Sequence, residues 1–271
     1  MSYYKVLGLE KEPFSTSPDP DFLYLSTSHD TALKRLEIAI RLRRGLSVII
    51  GDIGTGKTTL SRALFQVFKD EPQFLFHLIL DPAYKTEYQF LTHLIKLFGI
   101  TCEFRSTLDY KEAIEKYLFK KGVEENKTIV LLIDEGQKLN PDQLEILRIL
   151  LNYETNEYKL LQLIIMAQVE IIPKLKRVRN FTDRIALKYI INPLDENETR
   201  QMIEFRLHKA GLNSSGTLFT EAAIRLVYES TQGYPRRITM LCHDALEAII
   251  MRQKSVIDEE IIQGLIINQQ L

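Results

Sequence analysis

LSVIIGDIGTGKTTL, residues 46–60, decides the fold. Leu46, Val48, Ile49 and Ile50 give an apolar, partly β-branched run. A glycine-punctuated turn follows, and Lys57, Thr58 and Thr59 open a helical pattern. Gly51, then Asp52, Ile53, Gly54 and Thr55, then Gly56, Lys57 and Thr58 match the spacing G-x-x-x-x-G-K-[ST]. At that spacing the glycines let successive backbone N–H groups turn inward on a polyphosphate. Lys57 would neutralise the β- and γ-phosphates, the Thr58 hydroxyl would bind Mg²⁺, and the helix starting near Lys57 adds its positive end. An accidental glycine loop would lack the strand before it and the helix after it.

The other half of such a site should be a strand ending in acid. Ile129–Ile133 is an uninterrupted apolar run, as in a strand buried on both faces of a parallel sheet, and Asp134 and Glu135 follow it. Asp134 would hold Mg²⁺ through water, opposite Thr58, and Glu135 would orient and deprotonate the attacking water. The next apolar run ends at Met166-Ala167-Gln168; in a parallel sheet that end faces the same crevice, where Gln168 can hydrogen-bond the water or the γ-phosphate.

Between the last two strands lie Lys174, Lys176, Arg177, Arg179 and Arg184. Phosphoryl transfer gains about 10³ to 10⁵ in rate from an arginine reaching the developing charge, often from a neighbouring molecule. Arg184, beside the Ile185 strand, is the better-placed candidate and Arg179 the second; a solvated basic face is the other reading. Gly233-Tyr234-Pro235-Arg236-Arg237 ends one helix and starts another with proline in its first turn, so Arg236 can reach back to phosphate. Tyr24 and Leu25 are candidates for adenine contact, with core packing as the alternative.

Around these motifs, strands at 46–50, 74–80, 128–133, 160–167 and 185–191 alternate with helical patterns, implying a three-layer α/β sandwich with a parallel sheet. From Asp195 the strands stop. The expected organisation is an extended segment 1–28 packing on the core, an α/β core 29–193 and a small all-α unit 194–271.

A net charge of −1 gives no general affinity for nucleic acid or membrane, so any basic surface must be local, at Arg41, Arg43 and Arg44 or at 174–179. Cys102 and Cys242 lack metal-type spacing and the five histidines form no cluster, so no structural metal is expected. Early Lys5 and Glu10 interrupt what a signal peptide would need, and no apolar run approaches the ~20 residues of a membrane span. These features place the chain in the cytoplasm.

Together these motifs resemble the AAA+ ATPases, whose fold is a P-loop NTPase core followed by a helical lid. More narrowly, YYKVLGLEKEPFSTSPDPDFLYLS (3–26), GDIGTGKTTLSRAL (51–64), LLIDEGQKL (131–139), DRIALKY (183–189) and GYPRRITMLC (233–242) resemble the ExeA/GspA family, tied to general secretion and pilus biogenesis. The resemblance implies Walker A at Lys57 and Thr58, Walker B at Asp134 and Glu135, sensor 1 at Gln168, a trans finger at Arg184 and sensor 2 at Arg236. It implies ATP and Mg²⁺ as cofactors, a homo-oligomeric ring or filament, and envelope secretion or pilus components as partners, with peripheral attachment at the inner membrane. Larger members of that family continue through a membrane span to a peptidoglycan-binding part, and these residues hold neither. Short ATPases of the TnsC/TniB type instead assemble on DNA and regulate transposition, which makes DNA the alternative partner.

Overall fold

Strands buried on both faces must be apolar along their length, and the computed structural model, which describes residues 3–15, 20–101, 106–178, 180–212 and 218–269, has such strands at its centre. Strands β1 (Leu46–Gly51), β2 (Phe74–Ile79), β3 (Thr128–Ile133), β4 (Leu161–Ala167) and β5 (Ile185–Ile191) form one parallel sheet in the order β2-β3-β4-β1-β5. The central three are buried at every residue; the edge strand β2 is largely half-buried, and the edge strand β5 alternates half-buried with exposed residues up to the buried Ile191.

In chain order the helices are α1 (Tyr3–Val6), α2 (Thr27–Arg41), α3 (Lys57–Phe68), α4 (Glu87–Leu97), α5 (Thr107–Phe119) and α6 (Pro141–Leu150). After them come α7 (Ile171–Arg177), α8 (Glu196–Lys209), α9 (Glu221–Thr231), α10 (Pro235–Met251) and α11 (Glu259–Gln269). The two-residue period of the strands assigns side chains to layers. Val48, Leu131, Leu163 and Ile165 pack with α4, α5 and α6 through Leu91, Ile114 and Leu147. Ile49, Val130, Leu132 and Ile164 pack with α2 and α3 through Leu36, Ile40, Leu64 and Phe68. Helix starts are fixed locally: Ser106 with Asp109, Asn140 with Gln143 and Asp195 with Glu198 each form a reciprocal capping box.

Part of the cationic cluster between the last two strands lies on a helix, α7, that the sequence reading did not assign. Pro173 falls in its first turn, where a missing N–H costs no intrahelical bond, and Ile171 and Leu175 are buried against the core. Arg179 lies outside the described residues.

The chain divides into two compact units. The described parts of 29–53 and 60–191 make the α/β unit; those of 1–28 and 192–271, with 54–59, make a mainly helical unit. The expected packing of residues 1–28 on the core is therefore corrected. Phe14 is fully buried with Met202, Val227 and Leu241 of the helical unit and meets Phe219 edge-on at 6.1 Å, while Leu9 and Phe22 pack with Ala210. Four short helices enclose little apolar area by themselves, and these side chains complete their core.

Gly233 adopts φ +71°, and a Cβ there would stand 1.9 Å from the Leu194 carbonyl oxygen. The Leu194 N–H also donates to the Gly233 carbonyl at 2.9 Å. Gly233→Ala is expected to destabilise the chain by about 3 kcal/mol or more, from left-handed strain plus displacement of Leu194. Gly99→Ala isolates the first contribution: φ is +66° with no atom within 4 Å of the added carbon, so about 1–2 kcal/mol is expected. Urea unfolding of the two variants measures the gap, and equal midpoints would refute the close approach.

Among the described residues no helix is long and apolar enough to cross a membrane. Cys242 is fully buried and its thiol is pushed well above the ordinary range by desolvation; Cys102 lies outside the described residues.

Candidate active site

Parallel pairing settles which residues share an edge of the sheet. Ile50 lies opposite Ala167 and Ile133 opposite Ile165, so Gly51, Asp134 and Gln168 all emerge at the carboxyl edge. Asp52 and Ile53 continue from Gly51 there, and Glu135 follows Asp134. Leu46 lies opposite Ile185, which puts Arg184 at the amino edge, across the sheet from this group. The register thus brings six of the candidate residues together and separates the seventh from them.

Within the helical unit, Gly54 and Gly56 take φ of +83° and +92°, a left-handed conformation that glycine adopts without strain. Thr55 is fully buried and Lys57 is 7 % exposed, while Thr58 and Thr59 are half-buried on the first turn of α3. The Gly54 carbonyl accepts the Arg236 N–H at 3.3 Å, and a Cβ on Gly54 would stand 3.1 Å from that of Arg236. Pro235 begins α10, and the Arg237 guanidinium stacks over Tyr234 at 4.9 Å; Arg236 is exposed beside the loop tip. Two left-handed glycines and a lysine withdrawn from water suit a polyphosphate. Oxygen donors of the kind Mg²⁺ takes alongside water and phosphate are present in each unit, the Thr58 hydroxyl in the one and the strand-end carboxylate of Asp134 in the other.

Asp134 is 2 % exposed, and its Oδ1 accepts the Glu135 N–H at 2.9 Å. Glu135 sits at φ +52°, a strained setting for a residue with a side chain. The following 3-10 turn, Gly136–Lys138, presses on β4: a Cβ on Gly136 would meet Ile165 at 2.4 Å. Its side chains tie the edge together. Gln137 donates from Nε2 to Glu135 Oε2 at 2.8 Å and accepts the Gln168 N–H on Oε1 at 3.1 Å. The Lys138 ammonium meets Asp81 at 2.8 Å and holds that carboxyl below its ordinary range.

Several cations taken from the sequence as free for phosphate have protein partners. Lys174 donates to the carbonyls of Gln137 and Leu139. Arg41 is hydrogen-bonded by Glu37 and Glu71 and lies over Phe68, and Arg43 bonds Thr128 at 2.9 Å and lies over Tyr158. Arg44, Lys176 and Arg177 are exposed. Tyr24 takes the packing alternative, its hydroxyl donating to Gln201 at 2.6 Å with its ring beside Phe205. Sequence reasoning missed Gln137 and gave Lys174 only as part of a cationic cluster, because their roles depend on the turn at Glu135 and on α7.

Arg184 closes the 3-10 turn Thr182–Arg184 and lines a cavity of about 260 Å³ with Arg44, Leu151, Lys159 and Asp183. Its Nε is buried without a hydrogen-bond partner among the described residues. The Glu145 carboxyl is held below its ordinary range chiefly by Arg148, with Arg184 adding to the effect.

A family model described as "AAA domain" matches residues 40–175. The chain is 35% identical over 259 residues to General secretion pathway protein A of Aeromonas hydrophila, covering 92% of this chain but only 45% of that protein. An 83-residue stretch is 31% identical to an uncharacterised HTH-type transcriptional regulator of Methanocaldococcus jannaschii, 30% of this chain and 20% of that one. Among solved structures, the ORC2 protein of Aeropyrum pernix is 16% identical with a TM-score of 0.67, over 95% of this chain and 71% of that one. Cdc6p of Pyrobaculum aerophilum is 19% identical with a TM-score of 0.68, over 90% and 67%. Those structural likenesses speak to the fold alone. The family match spans half of the chain and falls on the sheet and loop that carry the candidate residues: the chain belongs to the AAA+ ATPases, and within them it is related to General secretion pathway protein A.

Proposed function

We propose that the chain hydrolyses ATP to ADP and phosphate with Mg²⁺, assembles as a ring or filament with ATP at subunit interfaces, and uses the cycle to drive or license assembly of a secretion or pilus machine at the cell envelope. The observation that carries the reading is the carboxyl-edge group of Gly51, Asp134, Glu135 and Gln168, with Arg184 on the opposite edge. The envelope role is supported by the 35% identity to General secretion pathway protein A, of which the chain spans less than half. A cytoplasmic protein, peripheral at the inner membrane, fits that role.

In this reading the backbone N–H groups of residues 51–59 cradle the phosphates and Lys57 neutralises their charge. Thr58 and Asp134 would hold Mg²⁺, which would supply stabilisation of the negative charge developing on the phosphate. Glu135 takes a proton as the water oxygen bonds to the γ-phosphorus and the bond to the ADP oxygen breaks. Gln168 orients the water or the γ-phosphate, Arg236 contacts phosphate from the lid, and Arg184 reaches a neighbour's.

Phosphate release measured against protein concentration tests this. Mg²⁺-dependent turnover whose specific rate rises with concentration is expected, and a flat specific rate across the dissociation range would overturn the interface site. The same protein titrated with labelled duplex DNA and ATP separates the transposition-type alternative, for which exposed Arg44, Lys176 and Arg177 are the remaining phosphate ligands. No binding at low salt is expected. Tight binding that falls steeply with added salt would move the assignment to a DNA-associated regulator.

A further inference from the structure

Gln137 makes both hydrogen bonds of its amide to the two groups proposed to flank the attacking water. Nε2 donates to the Glu135 carboxylate at 2.8 Å, and Oε1 accepts the Gln168 backbone N–H at 3.1 Å. The pairing fixes the amide's orientation, because the flipped group would set oxygen against carboxylate and NH₂ against N–H. It also fixes the residue type. A carboxylate at this position would repel Glu135, an ammonium has nothing to accept the Gln168 N–H, and an aliphatic chain can do neither.

The backbone beneath that amide is held from several sides. Gly136 lies against β4 so closely that a Cβ would meet Ile165 at 2.4 Å, Lys138 is tied to Asp81 at 2.8 Å, and Lys174 donates to the Gln137 carbonyl. Glu135, by contrast, follows the buried Asp134 in a left-handed conformation at φ +52°, with its carboxylate partly open to solvent. The fixed partner is Gln137; the group needing direction is Glu135.

We infer that Gln137 is a positioning residue for hydrolysis, orienting the Glu135 carboxylate and coupling it to the end of β4, so that contact with the γ-phosphate at Gln168 is felt at Glu135. This rests on the reading of Glu135 as the group that prepares the water. Gln137→Met keeps the length of the side chain and removes both hydrogen bonds. A hydrogen bond to a charged group lost from the reacting geometry predicts a fall in kcat of about 10- to 100-fold. KM for ATP and the thermal midpoint should stay near those of the parent chain.

The decisive measurement is a cycle of single-turnover rates for the parent, Gln137→Met, Glu135→Gln and the double variant. Gln137→Met is expected to add no further loss once Glu135 is an amide. An additional loss equal to that of the single variant, or a Gln137→Met protein with parental kcat, would overturn the inference while leaving Glu135 in place. Parental turnover in Glu135→Gln would instead overturn the reading of Glu135, and the inference with it.

Discussion

Glu135→Gln is expected to bind ATP as tightly as the parent chain and to release phosphate about 10²- to 10⁴-fold more slowly, whereas Lys57→Ala is expected to lose ATP binding itself. The two residues stand at different points of the same reaction. Lys57, 7 % exposed at the start of α3, would supply in the proposed reaction the positive charge that a bound polyphosphate requires before any bond changes. In the proposed reaction Glu135 contributes only when water loses a proton. A glutamine there still offers an oxygen to Gln137 Nε2, so the turn keeps its geometry while the proton acceptor disappears. Fluorescent-nucleotide titration beside phosphate release separates the two losses, and near-normal turnover in Glu135→Gln would remove that residue from the mechanism.

The parallel sheet was legible because β1, β3 and β4 are fully buried and therefore nearly continuous apolar runs. Partners were harder to read than positions. Phe14 and Phe22 declared themselves buried by being large rings near prolines, but nothing in a ring says which core it enters, and both belong with the helical unit. Lysines and arginines at 41, 43 and 174 looked available because charge is visible in a sequence and its counterpart, often a carbonyl, is not. Helix α7 was hidden by Pro173, which is harmless only because it falls in a first turn. Gln137 stayed hidden for a related reason: it follows the end of β3, in a turn that opens with a positive φ at Glu135, and a sequence does not announce that the side chains of such a turn bond each other.

Arg184→Ala is expected to lower ATP turnover by about 10³-fold or more while leaving ATP binding and assembly intact. The expectation comes from the register. Leu46 pairs with Ile185 at one end of β1, and Ile50 pairs with Ala167 at the other, so the strand's length separates Arg184 from Gly51, Asp134 and Gln168 of its own α/β unit. In the proposed assembly, an arginine on the amino edge serves a phosphate held by another copy. Its setting fits such a role: it lines a cavity with Arg44, Lys159 and Asp183, and its buried Nε has no hydrogen-bond partner among the described residues. Two inactive proteins should then rescue one another. In a mixture of Arg184→Ala with Lys57→Ala, some interfaces join the intact phosphate loop of the first to the intact arginine of the second. Random pairing makes that fraction about one quarter at equal concentrations, so phosphate release well above either protein alone, and vanishing on dilution, is the expected result. Full turnover by Arg184→Ala in an intact assembly would place the finger elsewhere.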